Sequence, residues 1–301
     1  MTAMSGLYTE QLENHRRIFE ERFPAFLPKA EGMRGTAARA MAYACEAGGK
    51  RLRPVLTMEF CRLCCGDGER ALPFAAAVEM IHSYSLAHDD MPCMDNSPLR
   101  RGRPSVHAAF GEDIALLAGD GLLNRAFEVM LDPANRGDRT AEQVLAAAFA
   151  LARGAGLGGM VGGQAIDLQS EGQAVSLPQL EELQQGKTAA LIRAACEAGC
   201  LAGGGTAEQL EAAERYGENL GLCFQMVDDI LDSTSTAEEL GKPAGSDAEN
   251  QKATYVSLLG VKEARCRAEK RTQDAIGALR AFGESGGELA ALAAALLHRK
   301  K

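Results

Sequence analysis

The sequence predicts an all-α fold, on three observations. Apolar residues recur at helical spacing over residues 73–88, 114–131, 140–157, 209–232 and 289–297. Runs that alternate polar and apolar residues, as half-buried strands do, are hard to find, and aromatic residues make up 5% with no Trp. Ala and Gly are abundant, and polar, Gly- or Pro-bearing breaks such as 132–138 and 233–251 separate the helical segments. A chain of 301 residues could hold two domains, yet no linker-like stretch and no repeat of fixed period divides it. The expectation is one domain over residues 1–301, with a core that 46% hydrophobic content can fill.

The net charge is −9, so bulk electrostatics offer no attraction to nucleic acid, and an anion would need a local basic cluster. Nine cysteines, an odd number without framework spacing, fit free thiols in a reducing compartment. The N-terminus is polar and charged, and no apolar run approaches the ~18 residues of a membrane span. These features point to a cytoplasmic protein with no membrane span and no nucleic-acid partner.

Residues 1–47 read as amphipathic helices with a break around Pro24 and Pro28, and they carry no evident chemistry. Gly48-Gly49-Lys50-Arg51-Leu52-Arg53-Pro54 then forms a turn feeding a helix, with Pro54 near its first turn. Three cations at a helix N-terminus oppose its dipole. An external anion seated on the amide hydrogens would remove that conflict. Cys61, Cys64 and Cys65 include a Cys-x-x-Cys pair, but no second pair matches it, so buried helical thiols are expected rather than a zinc or redox centre.

The densest chemistry lies between His82 and Arg103. A buried helix carrying His82 and Tyr84 delivers Asp89 and Asp90, and Asp95 follows six residues on. Six residues turn a regular helix by roughly 240°, which would send Asp95 to the wrong side. Pro92 removes a backbone donor, and the resulting break is what could bring Asp95 back. Three carboxylates followed by Arg100, Arg101 and Arg103 have the composition of a site for a hard cation and a phosphate.

Two apparent nucleotide motifs fail on context. Gly154-x-Gly156-x-x-Gly159 matches the dinucleotide pattern, but a helical run precedes it where a strand is required, so close helix packing explains these glycines. Gln164 and Asp167 follow on one helix face. Gly186-Lys187-Thr188 lacks the P-loop glycine five residues earlier, where Glu181 stands; Lys187 and Thr188 remain polar groups at the start of a helix. The second acidic motif, Gln225-x-x-Asp228-Asp229-x-x-Asp232, puts its polar residues on one helix face, with Leu222, Met226 and Ile230 on another. The long break after it carries Lys242 and Lys252 and has the length of a functional lid. His298-Arg299-Lys300-Lys301 suits a helix C-terminus by dipole alone.

In this order, Gly-Gly-Lys-x-x-Arg-Pro, Asp-Asp-x-x-x-x-Asp with Arg100-Arg101-Gly102, Gly-Gly-Gln-x-x-Asp, Gly-Lys-Thr and Phe-Gln-x-x-Asp-Asp-x-x-Asp closely resemble the trans-isoprenyl diphosphate synthases, in the pattern of the bacterial farnesyl diphosphate synthases. The matching residues run from Gly48 to Tyr255. The resemblance implies an isoprenoid-synthase-type helical bundle around a central cavity, usually a homodimer. It implies Asp89, Asp90, Asp95, Asp228 and Asp232 as ligands of three Mg²⁺, with Mn²⁺ possible. Arg100, Lys187, Lys242 and Lys252 would bind the allylic diphosphate, and Lys50, Arg53, His82 and Arg101 the isopentenyl diphosphate. Asp167, Lys187, Thr188 and Gln225 would act in catalysis, supporting the cation or the metal shell. Asn96-Ser97-Pro98 departs from the pattern, because many relatives carry two further acids there.

The resemblance also implies the reaction: condensation of isopentenyl diphosphate with an allylic diphosphate, releasing pyrophosphate. Tyr84, with Ser85 beside it, lies five residues before Asp89, roughly 7.5 Å along a helix, and an aromatic there looks like a stop at the C15 product. A geranylgeranyl diphosphate synthase is the alternative product class. A terpene cyclase would not need the basic residues at 48–54, and a non-catalytic subunit of a heteromeric synthase would be free to lose acidic motifs that are intact here.

Overall fold

The computed structural model describes residues 7–234 and 253–299. Its helices are α1 (Glu10–Arg22), α2 (Gly35–Glu46), α3 (Leu52–Cys65), α4 (Leu72–Asp89), α5 (Val106–Phe110), α6 (Glu112–Leu131), α7 (Ala141–Ala155), α8 (Met160–Ser170), α9 (Leu177–Gln184), α10 (Ala190–Ala202), α11 (Ala207–Thr234), α12 (Tyr255–Ala278) and α13 (Gly287–Leu297). The five segments read from periodicity become α4, α6, α7, α11 and α13, each end within two residues of its expected place. The break near Pro24 is a 3₁₀ turn over Phe23–Phe26.

One hairpin was not foreseen. β1 (Leu99–Arg100) and β2 (Arg103–Pro104) pair antiparallel with Arg100 opposite Arg103. The two residues between them, Arg101 and Gly102, have φ of 52° and 76°, the pair of positive values that a type I′ turn requires. Glycine adopts this conformation freely; Arg101 does so at a cost.

Contacts group the described residues into two compact units, one of Asn14–Phe149 with Ala198–Gly204 and a second holding the rest. In the first unit α4 packs along α6 and against α3 and α2. Phe74, Ala75, Ala76, Ala77, Val78, Met80 and Ile81 have no exposed surface, as expected of a helix apolar on all sides. In the second unit α11 packs along α12, with Met226, Val227 and Ile230 meeting Tyr255, Ala264 and Ala268, and Leu180 of α9 joining them. The Leu222–Met226–Ile230 face is the buried one, as the spacing predicts.

Helix α7, not a strand, precedes Gly154, and a Cβ there would come within 2.5 Å of Ala194 Cβ on α10. Close helix packing therefore accounts for that glycine. Among the described residues, Ala141–Ser170 has the length and composition of a membrane span. The chain breaks within it, between Ala155 and Met160, leaving helices of 15 and 11 residues, each short of the ~20 that a crossing needs. All nine cysteines are described, and all are thiols.

Candidate functional site

In the first unit α4 ends at Asp89 and a tight turn replaces the helix that Pro92 forbids. The Asn96 N–H donates to Met91 O at 3.0 Å, the Ser97 N–H to Asp90 O at 3.0 Å, and the Asp95 N–H to Asp89 O at 2.9 Å. The backbone of Asp95 thus returns to that of Asp89. Asp90 is 1% exposed and held by Arg100, whose Nε donates at 3.0 Å to both carboxylate oxygens. Burial draws the Arg100 pKa down, but the bonds and charge of Asp90, with Asp89 and Asp95 beyond, outweigh it and raise the net value. Asp89 is half-buried and Asp95 exposed. Asn96-Ser97-Pro98 builds the turn into the hairpin: Asn96 takes φ 47°, and Pro98 O accepts the Ser105 N–H at 3.0 Å.

A basic cluster lies beside this motif in the same unit. The Arg101 guanidinium donates to Gly48 O and lies so close to Gly49 that a Cβ there would come within 2.7 Å of Arg101 Cζ. Arg103 stacks on Tyr43 at 4.4 Å, whose hydroxyl donates to Pro104 O at 2.8 Å, fixing the hairpin to α2. Arg51 and Arg53 then divide sharply. Arg51, at φ 52°, is buried and donates to Glu20 at 2.9 Å, Glu79 at 2.5 Å and Cys45 O at 2.9 Å. Internal carboxylates, not an external anion, therefore resolve its part of the dipole conflict. Arg53 Nε is buried with no hydrogen-bond partner among the described residues. Burial lowers the Arg53 pKa to about 10, Glu79 opposing and Arg101 adding to the fall. Burial and then the charges of Arg53, Arg101, Arg100 and Arg51 hold His82 well below the ordinary histidine range, so it is neutral at pH 7. A neutral imidazole among guanidinium groups and a buried guanidinium nitrogen without a partner are the makings of an anion pocket.

The second unit carries the other polar constellation. Lys187 and Thr188 do not start a helix: they lie in a π-helical turn over Gln185–Ala189 that joins α9 to α10 without interruption. Such turns concentrate at functional sites. Lys187 Nζ donates to Asp167 at 2.5 Å. Thr188 Oγ1 donates to Gln225 Oε1 at 3.2 Å, and Gln225 Nε2 to Asp229 at 2.9 Å. Asp229, 3% exposed, also accepts the Tyr255 N–H at 2.8 Å, so it caps α12. Asp228 accepts from Arg299 at 2.5 Å, and that guanidinium lies 4.1 Å from the centroid of the Phe224 ring. The spacing argument placed the three acids of this motif on one face without a counter-charge. It missed both the inward turn of Asp229 and the cation from the C-terminal end.

The carboxylates of the two motifs are oxygen donors suited to Mg²⁺ or Mn²⁺. The adjacent imidazole of His88 is committed to Leu116 O at 3.0 Å, which keeps the donor set all-oxygen. Among the described residues no three acids, histidines or cysteines converge on a ready metal position, because Asp90 and Asp228 are drawn onto guanidinium groups. Lys242 and Lys252, and the lid they were read into, lie outside the described residues, as do Lys300 and Lys301. Tyr84 is 6% exposed on α4, and the Ser85 hydroxyl donates to His82 O at 2.9 Å.

The family described as Polyprenyl synthetase matches residues 35–289. A farnesyl diphosphate synthase from Geobacillus stearothermophilus is 43% identical over 87% of this chain and 88% of its own. Geranylgeranyl pyrophosphate synthase 3, chloroplastic, from Arabidopsis thaliana is 47% identical over 83% of this chain and 70% of its own. An FPP/GFPP synthase from Zymomonas mobilis, solved without ligands, shares the fold with a TM-score of 0.83 at 39% identity, over 95% of this chain and 97% of that one.

Proposed function

This chain belongs to the polyprenyl synthetase family of trans-prenyltransferases, and we propose that it condenses isopentenyl diphosphate with dimethylallyl and then geranyl diphosphate to give (E,E)-farnesyl diphosphate and pyrophosphate. The observation that carries the chain-elongating part is the basic cluster at Arg53, whose buried Nε has no hydrogen-bond partner among the described residues. A second anion site beside the first acidic motif is what a second diphosphate substrate needs and a cyclase does not. Residues 35–289 run through both units, which supports a single catalytic domain.

As the resemblance implies, Asp89, Asp90, Asp95, Asp228 and Asp232 would hold Mg²⁺. When bound, the ions supply charge stabilisation to the departing pyrophosphate, whose negative charge grows as the carbon–oxygen bond breaks. Arg100 and Lys187 would add fixed cations to the same leaving group, so that binding is stronger in the transition state than in the ground state. Lys50, Arg53, His82 and Arg101 would orient isopentenyl diphosphate for attack by its double bond. Thr188 and Gln225, already hydrogen-bonded to one another, would turn oxygen dipoles toward the allylic cation, with Asp167 fixing Lys187. The released pyrophosphate is the base for the final proton, and no side chain is nominated for that role.

Tyr84, a buried aromatic five residues before Asp89, supports the C15 product. The second reading, a C20 product, rests on relatives of similar identity named for geranylgeranyl diphosphate synthesis. Leu116, Leu117 and Leu131 on α6 and Leu145 and Phe149 on α7 are each between 47% and 64% exposed, which supports a homodimer that covers them. Thiols at all nine cysteines suit a reducing compartment such as the cytoplasm.

The test incubates the purified protein with isopentenyl and dimethylallyl diphosphates and resolves the products by chromatography. We expect C15 as the main product with Mg²⁺ and none with a chelator. A main product of C20 would overturn the farnesyl assignment, and cyclic products without elongation would overturn the reaction.

A further inference from the structure

We propose that His88 is a positioning residue for product length, acting through Tyr84; the inference rests on the reading of Tyr84 as the stop for the growing chain. The two residues stand one turn apart on α4, their rings edge to face with centroids 5.8 Å apart and planes at 77°, the arrangement aromatic quadrupoles favour. Tyr84 is almost wholly buried, and the imidazole of His88 closes it off on the side toward Asp89.

His88 is itself fixed at two points on α6. Its Nε2 lies 3.0 Å from Leu116 O. A carbonyl can only accept, so Nε2 carries the hydrogen and this tautomer is set by the bond. One turn along α6 from Leu116 stands Gly119, on the same face. The imidazole rests on the bare Cα of Gly119: a methyl added there would overlap the ring, coming within 2.7 Å of Cε1. Glycine inside a helix is less favourable than alanine, and the seat for the imidazole accounts for its presence. Carbonyl and seat together leave His88 one orientation, and Tyr84 rests against it. The length of the product therefore depends on a residue of α6 that carries no side chain.

The experiment measures product lengths for His88→Ala, His88→Gln, Gly119→Ala, Tyr84→Ala and the double variant His88→Ala/Tyr84→Ala, with thermal unfolding of each as a control on folding. For His88→Ala and Gly119→Ala the share of products longer than C15 is expected to rise about ten-fold, the discrimination that one apolar pocket contact carries. His88→Gln retains a donor for Leu116 O and should recover part of the wild-type distribution. The double variant should match Tyr84→Ala alone, because both act on one wall. Longer products from Tyr84→Ala with a wild-type distribution from folded His88→Ala and Gly119→Ala would overturn the role of His88 and leave Tyr84 as the stop. An unchanged length from Tyr84→Ala would instead sink the Tyr84 reading, and lengthening by His88→Ala in that background would make His88 a wall in its own right. Additive lengthening in the double variant would equally refute positioning through Tyr84.

Discussion

In the first acidic motif the carboxylates come from a helix end and the turn after it, whereas in the second they stand on one uninterrupted helix. The first is assembled locally: Asp95 is tied to Asp89 through the backbone, and Asp90 finds its guanidinium ten residues on. The second takes its geometry from helical spacing and its partners from far away, Tyr255 at 26 residues and Arg299 at 71. In both, the second acid of the pair is buried, at 1% for Asp90 and 3% for Asp229, yet one meets a cation and the other caps a helix. The same letters in two places do not assign the same work to matching positions.

The contrast can be broken in several places. Asp89→Asn should reduce kcat by about 10²–10³-fold, the usual loss when a preorganised charge is removed from a reacting centre, with little change in thermal stability. If Asp229→Asn reproduces that loss at full stability, the distinction between the motifs fails. Asp229→Asn should instead destabilise the fold by about 1–3 kcal/mol, since a buried cap for the Tyr255 N–H is impaired, and denaturant titration reads this directly.

Acid should separate the regions further. The folded pKa of His82 is held below its ordinary value, so the unfolded chain binds more protons than the folded one as pH falls below about 6.5. Stability should therefore decline below that pH by up to about 1.4 kcal/mol per unit, and His82→Gln should flatten the decline. α11 contains no histidine, so the free energy of local opening around the second motif, taken from hydrogen exchange after correction for its intrinsic pH dependence, should lack this decline. The smallest effect is expected from Arg299→Met. Asp228 is 42% exposed, and a pair of this kind is worth at most about 1 kcal/mol. Freeing Asp228 should lower the half-saturating Mg²⁺ concentration by no more than about five-fold, the equivalent of that energy; an increase would show that Arg299 assists the metal rather than competing with it.

Much of this was legible in the residues. Periodicity located α4, α6, α7, α11 and α13, and Pro92 announced the break after Asp89, because both are consequences of local backbone chemistry. What escaped the sequence has a common cause, the distance between partners. Arg51 and Arg53 are equal cations two residues apart, and only the placement of Glu20 and Glu79 turns one inward. Arg299 reads as a helix-end cation until the fold brings it to Asp228. The hairpin at 99–104 is too short to show alternation, although Arg101-Gly102 carried a faint turn signal. The π turn has no local signature at all, since its residues suit an α-helix equally well.

That turn makes the segment from α9 to α10 sensitive to counting. A π turn accommodates an additional residue per turn, and Gly163 meets the backbone of Lys187 there with no side chain between. Losing one residue from 185–189 would let an ordinary helix run through with α9 and α10 still roughly in phase, because the π turn is what takes up the additional residue. Lys187 would lose the bulged backbone that carries it to Asp167. A residue lost from α9 or α10 themselves would instead turn the helix beyond it by about 100° and put its buried stripe out of phase.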